Sequence, residues 1–218
     1  YQSKNIHSSF LGGTVYDSKG VVIKKIKKQD LNTILNYEDF ATDMHVLYYN
    51  PEIKNYPFTV EYTYETKFDF LLYLPEWNPY IDYGISVISS SYVLKVPAQQ
   101  SIRYYLHNTS QEPSLSKSEE GMTYTWTASN WKAIKKEPLP PDFSSITKRV
   151  LLAPGTIKYN EYYSPFTGWN DFGKWIGQLN SGRDQLDPEQ IKAMQRIRDS
   201  IPDKSQRIKI IYEWMQNR

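Results

Sequence analysis

Three histidines, His7, His45 and His107, are the natural first places to look for chemistry, because an imidazole can move a proton or hold a metal near neutral pH. They stand far apart and form no H-x-x-x-H or H-E-x-x-H spacing, so no zinc pair is signalled. His45 lies in the strand-like run Met44-His45-Val46-Leu47, where a partly buried structural histidine is expected. The cysteine count is 0, which removes thiolate nucleophiles, disulfides and cysteine metal sites from this chain. Glycoside hydrolysis needs two carboxylates roughly 5–9.5 Å apart. Glu61 and Glu65 share a strand face, but four residues of strand span roughly 13 Å, so they cannot form that pair directly. Carboxylates meeting across strands stay open at this level. Glu119-Glu120 reads as a solvated turn, and Gly12-Gly13 before Thr14 as a turn signal. There is no G-x-S-x-G elbow, phosphate-cradling loop or dinucleotide fingerprint. The expectation is a chain with no catalytic residue, no metal site and no cofactor, hence no hydrolase or acyl-transfer activity.

Binding is the other way to function. The chain carries 19 Tyr, 6 Trp and 8 Phe. In the loop Leu74-Pro75-Glu76-Trp77-Asn78-Pro79-Tyr80, Trp77 and Tyr80 are the candidate ligand-binding residues, since such rings can stack on a sugar or a peptide. The competing reading, which is preferred, has these rings packing down over the sheet. A formal net charge of +2 argues against nucleic acid, which is held by a strong local excess of positive charge. The run Lys24-Lys25-Ile26-Lys27-Lys28 is read as a solvated strand face. No apolar stretch approaches the roughly 20 residues of a membrane span. Tyr1-Gln2-Ser3-Lys4-Asn5 lacks the basic start and apolar stretch of a signal peptide.

The elements that must position these residues are mostly strands. Phe58, Val60, Tyr62, Tyr64, Thr66 and Phe68 alternate with Thr59, Glu61, Thr63, Glu65 and Lys67, the period of a strand with one wet face. That pattern predicts Phe58, Val60, Tyr62, Tyr64 and Phe68 in the core, with Glu61 and Glu65 in solvent. The same period recurs in Tyr92-Leu94-Val96, Ile102-Tyr104-Leu106 and Met122-Tyr124-Trp126. Asp17-Ser18-Lys19-Gly20 predicts a hairpin turn within 14–26. Strands are also predicted at 43–49 and 149–153, and a brief helix at 29–36. Proline-rich or polar connectors between short strands, with no intervening helices, point to a mostly β chain built as an antiparallel β-sandwich.

Past Phe166 the period changes to that of helices. Phe172, Trp175, Ile176 and Leu179 form one stripe, with Gly182 placed to stop it. Asp187-Pro188-Glu189-Gln190 predicts the start of a second helix carrying Ile191, Met194 and Ile197. Asp203 caps a third, with a stripe of Ile208, Ile211, Tyr212 and Met215. This last helix is expected to fold back on its neighbour and leave part of Tyr212 or Trp214 exposed. The predicted division is a β-sandwich domain over 1–166 and a helical segment over 167–218.

Several stretches in order resemble one family. They are Tyr56-Pro57-Phe58-Thr59-Val60-Glu61-Tyr62-Thr63-Tyr64-Glu65, Ala133-Ile134-Lys135-Lys136-Glu137-Pro138, Arg149-Val150-Leu151-Leu152-Ala153-Pro154 and Trp169-Asn170-Asp171-Phe172-Gly173-Lys174-Trp175. The family is the bacterial domain of unknown function that precedes a transglutaminase-like core in envelope proteins. The run from Asp203 to Met215 resembles the first helix of that core. The resemblance implies an immunoglobulin-like sandwich leading into a papain-like domain with a Cys-His-Asp arrangement, none of whose residues can be placed in this chain. It also implies strand-forming sequence before the region that starts at Thr14, so one or two sandwich strands are expected to be missing. The function expected is that of a non-catalytic accessory domain in the periplasm or outside the cell. Its partner would be a downstream catalytic domain in cis, against which it packs or to which it presents substrate. A carbohydrate- or peptide-binding module using exposed aromatics is the alternative, and a carboxylate hydrolase ranks last.

Overall fold

A computed structural model describes residues 5–35, 45–52 and 55–217. The chain divides into two compact units, Tyr1–Asp171 and Phe172–Arg218. In the first unit the strands are β1 (Ile6–Tyr16), β2 (Val22–Ile26), β3 (Asn32–Leu35), β4 (His45–Tyr48), β5 (Thr59–Phe68), β6 (Phe70–Leu71) and β7 (Val87–Pro97). They continue as β8 (Ile102–His107), β9 (Ser114–Lys117), β10 (Gly121–Trp131), β11 (Arg149–Pro154), β12 (Thr156–Tyr159) and β13 (Tyr162–Pro165), with the short helix α1 (Phe143–Ile146) before β11. Every pairing is antiparallel, and the strand orders are β2-β1-β5, β3-β4, β7-β10-β9, β11-β8 and β13-β12-β6. The chain is therefore mostly β with a helical C-terminal segment.

The packed core joins two of these sheets. Trp126 and Ala128 lie two apart on β10, Val150 and Leu152 two apart on β11, so each pair presents one face of its strand, and these faces meet. Trp77 completes the cluster from the connecting loop. Trp126 is 0% exposed, yet its indole N–H finds no acceptor among the described residues. Its ring lies parallel to that of Tyr124, with centroids 5.9 Å apart.

Four expectations change in the first unit. Gly12 and Gly13 do not form a turn: they sit inside β1, where the register with β5 slips between Phe10 and Gly12. Gly12 has φ +153, a backbone that side chains resist, which suits glycine at this irregularity. The helix expected at 29–36 shrinks to a single 3-10 turn over Lys28–Asp30, and Asn32–Leu35 pairs with β4 instead, because the hairpin partner supplies hydrogen bonds that a short helix would lack. Residue 36 and the first two residues of the strand expected at 43–49 lie outside the described residues. His45, expected to be partly buried, is exposed at the start of β4. Finally, the apolar face of β5 is not sealed: Val60 is half-buried opposite the buried Val15, but Tyr62, Tyr64 and Phe68 are exposed. Glu61 and Glu65 do face solvent.

The helices of the C-terminal segment are α2 (Trp169–Asn180), which begins at the end of the first unit, α3 (Pro188–Ser200) and α4 (Lys204–Gln216). Asp187 accepts from the Gln190 amide at 2.8 Å while Gln190 Oε1 accepts from the Asp187 amide at 3.3 Å, the reciprocal cap expected of this sequence. Asp203 caps α4 through the Gln206 amide at 2.7 Å. Trp175 is buried on α2 and packs beside Phe172, with ring centroids 5.8 Å apart. Helices α3 and α4 touch, but the least exposed side chains of α4 are Arg207, Ile210, Ile211 and Trp214. Ile208, Tyr212 and Met215 of the expected stripe are exposed.

Because Trp126 fills the space between two sheets, Trp126→Ala is expected to cost about 3–5 kcal/mol of stability in urea unfolding. Trp126→Phe loses ring volume but also removes the unpaired donor, so its cost should be well under half of that.

Candidate functional site

The face that β5 leaves open is the floor of a cavity of about 730 Å³. Cross-strand pairing builds that floor: Ile6 lies opposite Phe68, Ser8 opposite Thr66 and Phe10 opposite Tyr64, while Tyr62 faces Gly13. A side chain at Gly13 would put its Cβ 2.6 Å from the Glu61 carbonyl, so this position keeps the two strands close. The Ser8 and Thr66 hydroxyls are hydrogen-bonded at 2.9 Å. Further walls come from Leu31, from Val46 to Tyr49 at β4, and from Tyr73 and Pro75 beyond β6.

Among the described residues, none of those lining the cavity is an acid, a lysine, an arginine or a histidine. Five are tyrosines: Tyr48, Tyr49, Tyr62, Tyr64 and Tyr73. Burial pushes the Tyr62 phenol above its ordinary value, and the neighbouring Tyr49 adds to the shift. Tyr73 packs edge-on to Phe68, with centroids 5.9 Å apart. A cavity of this size and lining suits an uncharged guest with an apolar body, because a charge placed here would lose water, and the cation near the lining, Lys24 Nζ, stands 5.2 Å from the Tyr49 ring and is paired with Asp30. It offers no group that shuttles protons near neutral pH.

The residues singled out in the sequence lie elsewhere. Trp77 is 5% exposed and Tyr80 9% exposed, and both are packed into the scaffold. The Trp77 indole donates to Ser90 Oγ at 3.0 Å, and the Tyr80 hydroxyl donates to the Lys132 carbonyl at 3.1 Å. Neither offers a ring face to a ligand, since both rings are needed to fill the layer beneath their own loop. His7 Nε2 lies 3.0 Å from Asp69 Oδ2 on the surface, and His107 Nε2 donates to the Ser145 carbonyl at 3.1 Å. These histidines are not brought together, and no group of three metal-ligating side chains occurs among the described residues. The parallel aromatic pair Tyr124–Trp126 belongs to the core and is no surface platform. Glu61 accepts from the Tyr16 hydroxyl at 2.8 Å, and Glu65 lies 3.6 Å from Lys67 Nζ, so each is engaged outside the cavity. The alternation of β5 placed Tyr62, Tyr64 and Phe68 on one face but carried no sign that this face stays open.

A family model described as "Domain of Unknown Function with solved-structure structure (DUF3857)" matches residues 1–135. No curated protein matches the chain. Among solved structures, the crystal structure of a putative protease from Parabacteroides distasonis ATCC 8503 is similar, with a TM-score of 0.60 and 14% sequence identity. The match covers 100% of this chain and 41% of that one, so the chain spans about two-fifths of its structural relative. At that identity the likeness speaks for the fold alone. No helix among the described residues is long and apolar enough to cross a membrane.

The raised Tyr62 phenol carries a pH signature. A group whose folded pKa lies above its unfolded value contributes stability in full below the unfolded value, about 10 for tyrosine, and loses it as pH rises through the folded one. In an alkaline titration of phenolate absorbance, Tyr62→Phe should remove one late-ionising phenol. Its unfolding free energy should also fall less steeply than that of the parent chain above that pH. Identical titration curves would show that the Tyr62 hydroxyl is not desolvated.

Proposed function

The chain belongs to the DUF3857 family, and from that membership we propose that it is a non-catalytic accessory domain, holding substrate for a transglutaminase-like catalytic domain in the same polypeptide. The observation that carries this reading is the cavity over β1 and β5: large enough for a ligand, lined by apolar groups and tyrosine hydroxyls, and without an acid, base or thiol that could break a bond near neutral pH. The cysteine count of 0 supports the same division of labour, since a papain-like reaction needs a thiolate from elsewhere. The structural relative, named as a protease, is a longer chain of which this one spans 41%, a proportion that suits one domain of a larger protein. The place of work in this reading is the periplasm or the cell exterior, where a catalytic domain of the envelope would act.

Two measurements test the proposal. The purified chain should turn over no ester or peptide substrate above the buffer rate. In the longer protein, Tyr62→Ser with Tyr64→Ser should raise KM by about tenfold with little change in kcat, the mark of lost ground-state binding. Turnover by the chain alone, abolished by one substitution, would overturn the accessory reading, as would an unchanged KM in the longer protein.

A further inference from the structure

The floor of the cavity is also the margin of a sheet. In the order β2-β1-β5, β5 is paired on one side only among the described residues, so no strand partner there covers its other row of amide and carbonyl groups. The side chains of β5 divide by face. Tyr62, Tyr64, Thr66 and Phe68 line the cavity, while Glu61, Glu65 and Lys67 face the other way.

These features together select one kind of guest. Another backbone, with donors and acceptors at the strand repeat, can pair with the open row of β5. A hydrocarbon chain would leave that row unmatched. A sugar would look for side-chain amides and carboxylates, and the cavity lining contains none. We propose that the cavity binds an extended polypeptide segment that adds to β5 as a further strand, with every second side chain, uncharged and apolar, entering the cavity between the tyrosines. The run from Tyr62 to Phe68 is about 20 Å long at the strand repeat, room for a guest of about seven residues with three or four side chains in the cavity. The intervening guest residues lie on the face of Glu61, Glu65 and Lys67, two acids against one base, which favours lysine or arginine there over acids. The proposal deepens the accessory reading, on which it rests for the partner being a substrate polypeptide. Because binding is measured on this chain alone, its failure and the failure of the accessory role are separate results.

The test uses the whole chain and a fluorescein-labelled peptide of about nine residues, strand length, in which valine alternates with lysine and serine. The control has the same composition with the valines in one block. In a strand, successive amides point to opposite sides, so methylating the valine amides and methylating the intervening amides block different edges of the guest. The alternating peptide should bind about tenfold or more tightly than the block peptide, and one of the two methylated forms, but not the other, should lose about tenfold or more. Tyr64, being 71% exposed, can be changed without emptying a core, so Tyr64→Ser should weaken binding about tenfold and Tyr64→Phe restore it. Equal affinity of the two methylated forms, or binding indifferent to Tyr64→Ser, would overturn strand addition. So would sedimentation showing that two copies of the chain already pair through β5 and that the peptide does not separate them.

Discussion

Two backbone hydrogen bonds hold the first unit together at its least regular point. Trp77 donates to the Val150 carbonyl at 3.0 Å and accepts from the Val150 amide at 2.9 Å, a single antiparallel bridge between a loop and β11. Each bond is worth only about 0.5–1.5 kcal/mol net, but their placement matters more than their strength. They set the indole between the two sheets, where it packs with Trp126, Val150 and Leu152 and reaches Ser90 on β7. The rest of the loop is then tied down in turn: Tyr92 donates to the Pro75 carbonyl at 2.8 Å, and Arg149 lies 3.2 Å from Glu76. Because Tyr73 and Pro75 wall the cavity, the same bridge fixes one end of the candidate site.

The sheet of β1, β2 and β5 is held by different means. Its wet face is laced by Tyr16 to Glu61 and by Lys67 to Glu65, and its end by His7 to Asp69, all of them exposed contacts of small energetic weight. Its inner face keeps Val15 and Ile26 buried near the hairpin but opens towards Tyr62, Tyr64 and Phe68. One sheet therefore serves as scaffold at one end and as a lined surface at the other. The bulge at Gly12 lies between the two regions, where a change of twist re-aims the side chains that follow.

Much of this was legible in the sequence because it is local. The strands β5, β8 and β10, the turn at Asp17 to Gly20 and the caps at Asp187 and Asp203 depend on neighbours within a few residues, and each is found in the structure. What could not be read depends on partners far along the chain. Trp77 sits between Pro75 and Pro79, which mark a loop, and nothing nearby announces that Val150 will pair with it. Period two likewise names the residues that share a face without saying whether another layer covers them. For β10 a layer arrives, and Trp126 is sealed. For β5 the described residues supply only walls. The helical stripe of α4 shows the same limit: the less exposed face runs through Arg207, Ile210, Ile211 and Trp214, sharing only Ile211 with the expected stripe.

The type of aromatic residue offers a discriminator that periodicity lacks. The largest fully sealed side chains among the described residues are Trp126, Ile157, Val15, Val150 and Thr147, with no tyrosine among them. Two tyrosines that enter the packed region hand their hydroxyls to backbone carbonyls, Tyr80 to Lys132 and Tyr92 to Pro75. A phenol needs such an outlet, because leaving its hydroxyl dry and unpaired costs about 1–3 kcal/mol. Five tyrosines around one cavity would be a poor choice for a surface meant to be closed permanently by apolar side chains. They suit a surface that is partly wet when empty and apolar when filled: exposed phenols such as Tyr64 keep contact with water in the free state, and the rings supply contact area to a guest. An alternating strand that pairs charged residues on one face with tyrosines, and few aliphatics, on the other thus carries the chemistry of a reversible surface.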